Sequence, residues 1–346
     1  MRSLTLEHVG RFRVALREAD LPPIGHRDLL IESHCSAISP GTESMIFNGM
    51  FPKNLPQDKT IKSLRGGFDY PFTYGYALAG EVVDAGAGID SSWRGRRIFA
   101  FHPHCDNAVV HADDCIPIPD DIPTQAALFL PNVESALSFV MDANPKVGER
   151  IMVFGQGVVG LLTTSLLAAF PFTELIAADP LAFRRERSLG LGAGKAVDPS
   201  DPIQWEALKS ELFQDRVDDG LDLAVDVSGT MDALNQAIEL TGFDGRILIG
   251  SWYGTPEQPL NLGGHFHRRR QRLISSQVST LNPALTGRWN KARRIETAWQ
   301  AIRKIAPQGL ITHAFDIHDC QHAFELVSQR DDNVLQAIFR YQNADT

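Results

Sequence analysis

Scarcity narrows the field first. The chain of 346 residues has 4 cysteines, Cys35, Cys105, Cys115 and Cys320, and no two of them form a Cys-x-x-Cys pair. Such scattered cysteines read as reduced thiols and point to a cytoplasmic protein. No run of about 18 apolar residues is present to cross a bilayer, and the opening Met-Arg-Ser-Leu-Thr-Leu does not read as a signal peptide. Positive charge is also short: 33 Lys and Arg stand against 42 Asp and Glu, a formal net charge of −9. That balance argues against nucleic acid or an anionic membrane as a partner. The one basic cluster, His267-Arg-Arg-Arg-Gln-Arg272, reads as a solvated turn beside a strand. Internal repeats and low-complexity segments are absent as well.

What is present is enough apolar residue for two cores, 43% of a chain whose length fits two domains. The most informative stretch is Arg150-Ile-Met-Val-Phe-Gly155-Gln156-Gly157-Val158-Val159-Gly160. It reads as a buried strand, a tight glycine turn and the start of a helix. Gly155 permits the turn, Gly157 lets backbone approach a pyrophosphate, and Gly160 lets the helix pack on the strand, with the helix N-terminus facing the phosphate charge. An apolar helix follows over 158–169, then a strand Glu174-Leu-Ile-Ala-Ala-Asp179. It ends in an acid where a ribose-binding carboxylate belongs. Further strand patterns at 195–197, 221–227, 246–252 and 273–278 alternate with helical ones at 181–190, 202–213 and 230–241. This is the pattern of an α/β, doubly wound parallel sheet. Ser228, Gly229 and Ser251 close its fourth and fifth strands beside the expected nucleotide.

Asp179 should accept hydrogen bonds from both ribose hydroxyls and repel a 2′-phosphate, which favours NAD(H) over NADP(H). Arg184 and Arg185 follow and bear on the same choice, since a guanidinium there can fold over a phosphate. The first 145 residues differ. Runs at 29–33, 79–85 and 97–101 alternate with period two between glycines and prolines, an all-β pattern. Residues beyond 283 carry helices at 291–305 and 319–329 and strands at 310–316 and 334–341. Pro52 to Arg65 reads as a surface loop.

Taken together, the motifs Gly75-Tyr-Ala-Leu-Ala-Gly80-Glu-Val-Val-Asp-Ala-Gly86, Gly95-Arg-Arg-Ile-Phe99, Pro117-Ile-Pro-Asp120, Gln125-Ala-Ala-Leu128 and Val147-Gly-Glu-Arg150 resemble the medium-chain dehydrogenase/reductase superfamily. Ile38-Ser-Pro-Gly-Thr-Glu43 and Gly75-Tyr-Ala77 are similar to its branch containing the bacteriochlorophyllide a dehydrogenases. The resemblance implies a GroES-like β-rich catalytic domain over 1–145, a Rossmann domain over 146–282, and a return of 283–346 to the first. It implies an NAD(P)-dependent oxidoreductase acting on a small-molecule alcohol, carbonyl or activated alkene, and a homodimer paired through the strand Leu273 to Val278. By the narrower likeness, oxidation of a hydroxyethyl group on a bulky ring is one substrate, and the Phe-, Pro- and Gly-rich loop 44–72 would roof it.

The departures from the family pattern bear on the chemistry. Zinc-dependent members hold the metal with a Cys-x-Thr/Ser-Asp turn, a His-Glu pair and a later Cys or Glu. The corresponding positions here read Ser39-Pro-Gly-Thr42-Glu43, then Tyr76 and Ala77, then at most Glu134. The four-cysteine structural lobe is also missing, so neither zinc is expected. Catalytic candidates are therefore Tyr76 as a phenolic donor, Thr42 and Ser39 as relay hydroxyls, and Glu43 as orienting group or base. His102, His104, Asn132 and Glu134 are candidates for substrate contact. Each has a plainer reading, as core aromatic, turn bond, salt bridge or helix cap. Two alternatives stand beside this one: a nicotinamide-binding structural or regulatory protein, and a metal enzyme with a relocated site at His102, His104, Cys105 and His111, where a strand would point His102 and His104 to one face.

Overall fold

Successive residues of a strand point to opposite faces, so a strand apolar at every position must be covered on both sides. The run Ile151-Met-Val-Phe154 meets that condition. Met152 and Phe154 pack with Trp205, Leu208 and Ala237 on one face, Ile151 and Val153 with Phe139, Leu167 and Leu248 on the other. The computed structural model describes residues 1–341 apart from Lys53, 215–218, Gln258 and 330–332. It divides the chain into two compact units, Met1–Pro131 with Ile302–Thr346, and Asn132–Ala301.

The second unit holds a six-stranded sheet of order Lys195–Val197, Glu174–Ala178, Arg150–Phe154, Leu221–Asp226, Thr241–Ile249, Arg272–Ser275, every neighbouring pair parallel. The chain enters at Arg150–Phe154, winds outward to Lys195–Val197, then returns to the other side at Leu221–Asp226. The strand order therefore reverses between Arg150–Phe154 and Leu221–Asp226, where such sheets take their ligands at the carboxyl ends. The helices Val158–Leu167, Ala182–Gly190, Pro202–Leu212 and Met231–Leu240 lie within a residue or two of their expected bounds.

The unit boundaries fall at 131/132 and 301/302 rather than at 145/146 and 282/283. Two helices account for the difference. Leu130–Ala143 is tied to the parallel sheet, its Ala143 carbonyl accepting from Arg246 and its Asp142 from Ser276. Lys291–Ile305 is joined to it through Arg294 and Glu134.

In the first unit, a seven-stranded, mostly antiparallel sheet runs Ile311–Asp316, Gln336–Arg340, Asp28–Ile38, Leu78–Ala85, Arg97–Ala100, Cys115–Pro117, with Asn107–His111 also on Asp28–Ile38. The tail joins the N-terminal strands directly, Phe339 opposite Ser36. A three-stranded sheet of Arg13–Asp20, Arg2–Gly10 and Phe72–Thr73 completes the unit, with Phe47, Phe324 and Phe339 in its core. The loop 44–72 does not form a roof of free aromatics. Phe51, Phe68 and Phe72 are buried against one another and against Ile46, Leu64 and Tyr74, the Phe51 and Phe68 rings stacked at 4.3 Å. Among the described residues no helix is long and apolar enough to cross a membrane.

His8 in the strand Arg2–Gly10 is wholly buried between Phe72 and Phe324, and neither ring nitrogen has a hydrogen-bond partner. Burial, with a smaller push from His104, lowers its pKa to about 3. The unfolded chain takes up this proton near the ordinary value of 6.5 and the folded one only near 3. Stability from this group is therefore complete above about pH 6.5 and falls on acidification by up to about 1.4 kcal/mol per pH unit. His8→Phe should flatten the acid slope of stability, read from denaturant midpoints at successive pH values. An unchanged slope refutes this assignment.

Candidate active site and nucleotide site

The strand Asp28–Ile38 ends at Ser39, and the short helix Thr42–Phe47 begins three residues later. That turn builds a hydroxyl cluster. Tyr76 donates its phenolic proton to Ser39 Oγ at 2.7 Å, and the Thr42 backbone N–H points at the same oxygen at 3.3 Å. Glu43 closes the turn by accepting from the Ser39 N–H through Oε1 at 2.8 Å. Its other oxygen faces His104 Nε2, also at 2.8 Å, and both side chains are fully buried. Behind His104, Nδ1 meets Ser36 Oγ at 2.7 Å and Ser36 meets the Tyr341 hydroxyl at 2.8 Å. Burial raises the Tyr76 pKa and the Glu43 charge adds to it, while the hydroxyls of Ser39 and Thr42 pull the other way. Tyr76 therefore stays protonated at neutral pH and can donate.

All four expected catalytic residues thus meet in one place. His104 joins them from behind, shielded from solvent by Glu43 and the core, so it touches the cluster and not a ligand. His102 stands apart, its Nδ1 near the Pro103 carbonyl at 3.0 Å and near Cys105 Sγ at 3.5 Å. Residues 101–104 form no strand, so the expected common face for His102 and His104 does not exist. His111 caps the turn Ala112–Asp114. No group of three His, Cys, Asp or Glu is placed to hold a metal ion among the described residues. The relocated site at His102, His104, Cys105 and His111 is therefore not assembled.

In the second unit the glycine turn has the expected form. Gly155 adopts φ +88°, and a Cβ on Gly160 would stand 1.8 Å from the Gly155 carbonyl oxygen, so helix and strand meet only through glycine. Gly157 starts the helix Val158–Leu167 without a side-chain cap, and a Cβ there would meet no protein atom within 4 Å. Unsatisfied N–H groups facing open space at a helix N-terminus suit a phosphate. Val158 and Val159 contribute backbone to this end. The Gln156 side chain turns inward, donating to the Val153 carbonyl and accepting from Thr164.

Asp179 follows the strand Glu174–Ala178 and is almost fully buried; one oxygen accepts from the Gln156 N–H at 2.7 Å, the other from Leu181 N–H at 2.9 Å. Arg184 lies 3.9 Å from its carboxylate. That guanidinium offsets part of the Asp179 charge, and the expected repulsion of a 2′-phosphate is weakened accordingly.

Two expected substrate contacts start the second unit. Asn132 is half-buried in the helix Leu130–Ala143. Glu134 is not free for a substrate, because its Oε1 accepts from Arg294 Nε at 3.0 Å and Nη2 at 2.7 Å, with both residues nearly sealed from solvent. Sequence reading passed over Asp226 and Tyr253. Asp226 is fully buried at the end of Leu221–Asp226, and its carboxylate accepts from Ser228 and from the Tyr253 hydroxyl. An acid amid the apolar run Leu221-Asp-Leu-Ala-Val-Asp226-Val was the available signal. Within the basic run, Arg269 and Arg270 form a turn before the strand Arg272–Ser275, with Arg269 over Phe213.

These features define the class: a Rossmann-type unit paired with a β-rich unit that carries a hydroxyl cluster. Residues 158–295 match the family described as zinc-binding dehydrogenase. The chain is 23% identical over 235 residues to D-guloside 3-dehydrogenase of Escherichia coli K12, a match spanning 67% of this chain and 66% of that protein. It is 24% identical over 349 residues to L-threonine 3-dehydrogenase of Pectobacterium atrosepticum, spanning 90% and 86%. Its fold superposes with TM-score 0.76 on a zinc-binding dehydrogenase of Sinorhizobium meliloti bound to NADP, at 18% identity over 98% of this chain and 99% of that one. Residues 158–295 thus match the zinc-binding dehydrogenase family, and the chain shares the fold of that dehydrogenase structure.

Glu134→Ala should destabilise the second unit by about 3–5 kcal/mol, because it strands the buried Arg294 charge. Denaturant unfolding reads the loss; intact stability with a raised KM would return Glu134 to the substrate.

Proposed function

We propose that the protein is an oxidoreductase that moves hydride between a nicotinamide dinucleotide and an alcohol or carbonyl carbon without a catalytic zinc. The observation that carries the reading is the assembly of Tyr76, Ser39, Thr42 and Glu43 into one hydrogen-bonded cluster at the family's metal-binding positions. The donor set does not fit a zinc ion. Ser39 and Tyr76 are neutral hydroxyls bonded to each other, Ala77 offers no donor, and Glu43 is occupied by His104 and the Ser39 N–H.

A carbonyl under reduction still needs its developing negative charge met by a donor fixed in place beforehand. Tyr76 and Ser39 fit that role together: the Tyr76 O–H rests on Ser39 Oγ, so during reduction Ser39 gives its own proton to the substrate oxygen and takes the Tyr76 proton in its place. The dinucleotide supplies the hydride when bound. Gly155, Gly157, Gly160 and the helix end at Val158 would hold its pyrophosphate, Asp179 its ribose, and Ser228, Gly229 and Ser251 its remaining half. NAD(H) is the proposed form, with Arg184 the residue that would admit NADP(H). The relatives' names, a guloside and a threonine oxidised at a hydroxyl-bearing carbon, support an alcohol substrate over an activated alkene. The self-packed aromatics of loop 44–72 give no support to a bulky apolar one. The strand Arg272–Ser275 ends its sheet with Leu273 and Ile274 half-buried, and two copies pairing there would form the proposed homodimer.

Gly157→Ala should leave the melting temperature unchanged, since the new methyl meets no protein atom, yet weaken NADH binding at least about tenfold by intruding on the phosphate. Undiminished affinity would refute the pyrophosphate site. Once a substrate is identified by screening alcohols and carbonyls, Tyr76→Phe should lower kcat about 100-fold or more with NADH affinity unchanged. Turnover at the wild-type rate would remove Tyr76 from the chemistry, nucleotide binding with no substrate found would turn the reading toward a nucleotide-binding protein, and stoichiometric zinc in the protein purified without chelators would overturn zinc independence.

A further inference from the structure

Asp226 closes the strand Leu221–Asp226 on the side of the strand-order reversal opposite Asp179. Its Oδ1 accepts from the Ser228 N–H at 3.0 Å and the Ser228 hydroxyl at 2.6 Å, and its Oδ2 accepts from the Tyr253 hydroxyl. Its own carbonyl accepts from the Gly250 and Ser251 N–H groups, and Ser251 Oγ in turn accepts from the Gly229 N–H at 2.9 Å. One acid thus organises the ends of the fourth and fifth strands. They lie against the glycine turn, since a Cβ on Gly155 would stand 2.6 Å from Ser228 Cα.

The carboxylate has no cation partner among the described residues. Tyr253 is the titratable group that faces it; the others, Ser228 and Ser251, carry hydroxyls that do not titrate. A fully buried, cation-free carboxylate is costly to keep, and a neutral amide could make the same loop contacts. Its charge has a use where a positive charge arrives. A dinucleotide lying across the reversal point places one half toward Asp179 and the other toward Asp226. The nicotinamide ring is cationic when oxidised and neutral when reduced.

We propose that Asp226, held by Tyr253 and Ser228, selects the redox state of the bound dinucleotide, its carboxylate favouring the oxidised over the reduced form. The proposal rests on the nucleotide-binding reading above. Burial raises the Asp226 pKa above the usual carboxylate range, with Ser228 and Tyr253 opposing the rise. Acidification protonates Asp226, removes the field, and moves the binding ratio toward the reduced form.

The test is calorimetric titration of the full-length protein with NAD⁺ and with NADH separately, at a series of pH values, repeated with NADP⁺ and NADPH. Asp226→Asn should weaken oxidised relative to reduced nucleotide by about five- to tenfold, the effect of one charge in a partly dry site, and abolish the pH dependence of the ratio. Tyr253→Phe removes a donor that favours the charged carboxylate, so it should keep the high-pH ratio but move its acid-side change to higher pH. An unchanged ratio in Asp226→Asn, or an equal loss of both affinities, overturns the proposal, the latter leaving Asp226 a loop anchor. Should Asp226→Asn fail to fold, an unmoved pH midpoint in Tyr253→Phe overturns it equally. Wild-type protein that binds none of the four nucleotides fails the nucleotide reading itself, an outcome distinct from binding with no selectivity.

Discussion

The contact between Gly160 and the Gly155 carbonyl is the constraint on which the second unit turns. A side chain of any size at 160 would lie within bonding distance of that oxygen, so the helix Val158–Leu167 sits as close to its strand as backbone permits. That closeness leaves the helix N-terminus open at Gly157 and brings the turn against Ser228 from the fourth strand. Strand order, turn and helix end then converge at the reversal of the sheet, where the carboxylates of Asp179 and Asp226 close the two flanking strands.

The first unit solves a different problem. Ser39 and Tyr76 bring neutral hydroxyls together, and the buried carboxylate of Glu43 stands behind them with His104 as its partner. Under the proposed function a donor fixed in place beforehand meets the developing charge, because preorganised dipoles need no rearrangement. The wiring has a direction. If the Tyr341 hydroxyl donates to Ser36 and Ser36 to His104 Nδ1, then His104 Nε2–H points at Glu43 and every donor in the series has an acceptor.

Much of this was legible in the chain. Ile151 to Phe154 is apolar at every position because both faces are covered, and the helices after it carry a 3.6-residue period because one face is. The cluster of Tyr76, Thr42, Glu43 and Ser39 was legible through motif position. His104, Ser36 and Tyr341 were not, since they come from three separated strands and loops and join only when the C-terminal strand pairs with Asp28–Ile38. Glu134 was misplaced because its partner Arg294 lies 160 residues away. The common face considered for His102 and His104 does not form, because residues 101–104 are not a strand.

Local pattern therefore determined which segments become strands and helices and where the glycine turn falls. Those follow from periodicity and from backbone sterics, which are properties of neighbours along the chain. Tertiary structure decided the partner of each polar group: Arg294 for Glu134, His104 for Glu43, Tyr253 for Asp226, Arg184 beside Asp179. A buried charge must find its counterpart wherever the fold brings one, and that pairing depends on packing between distant elements.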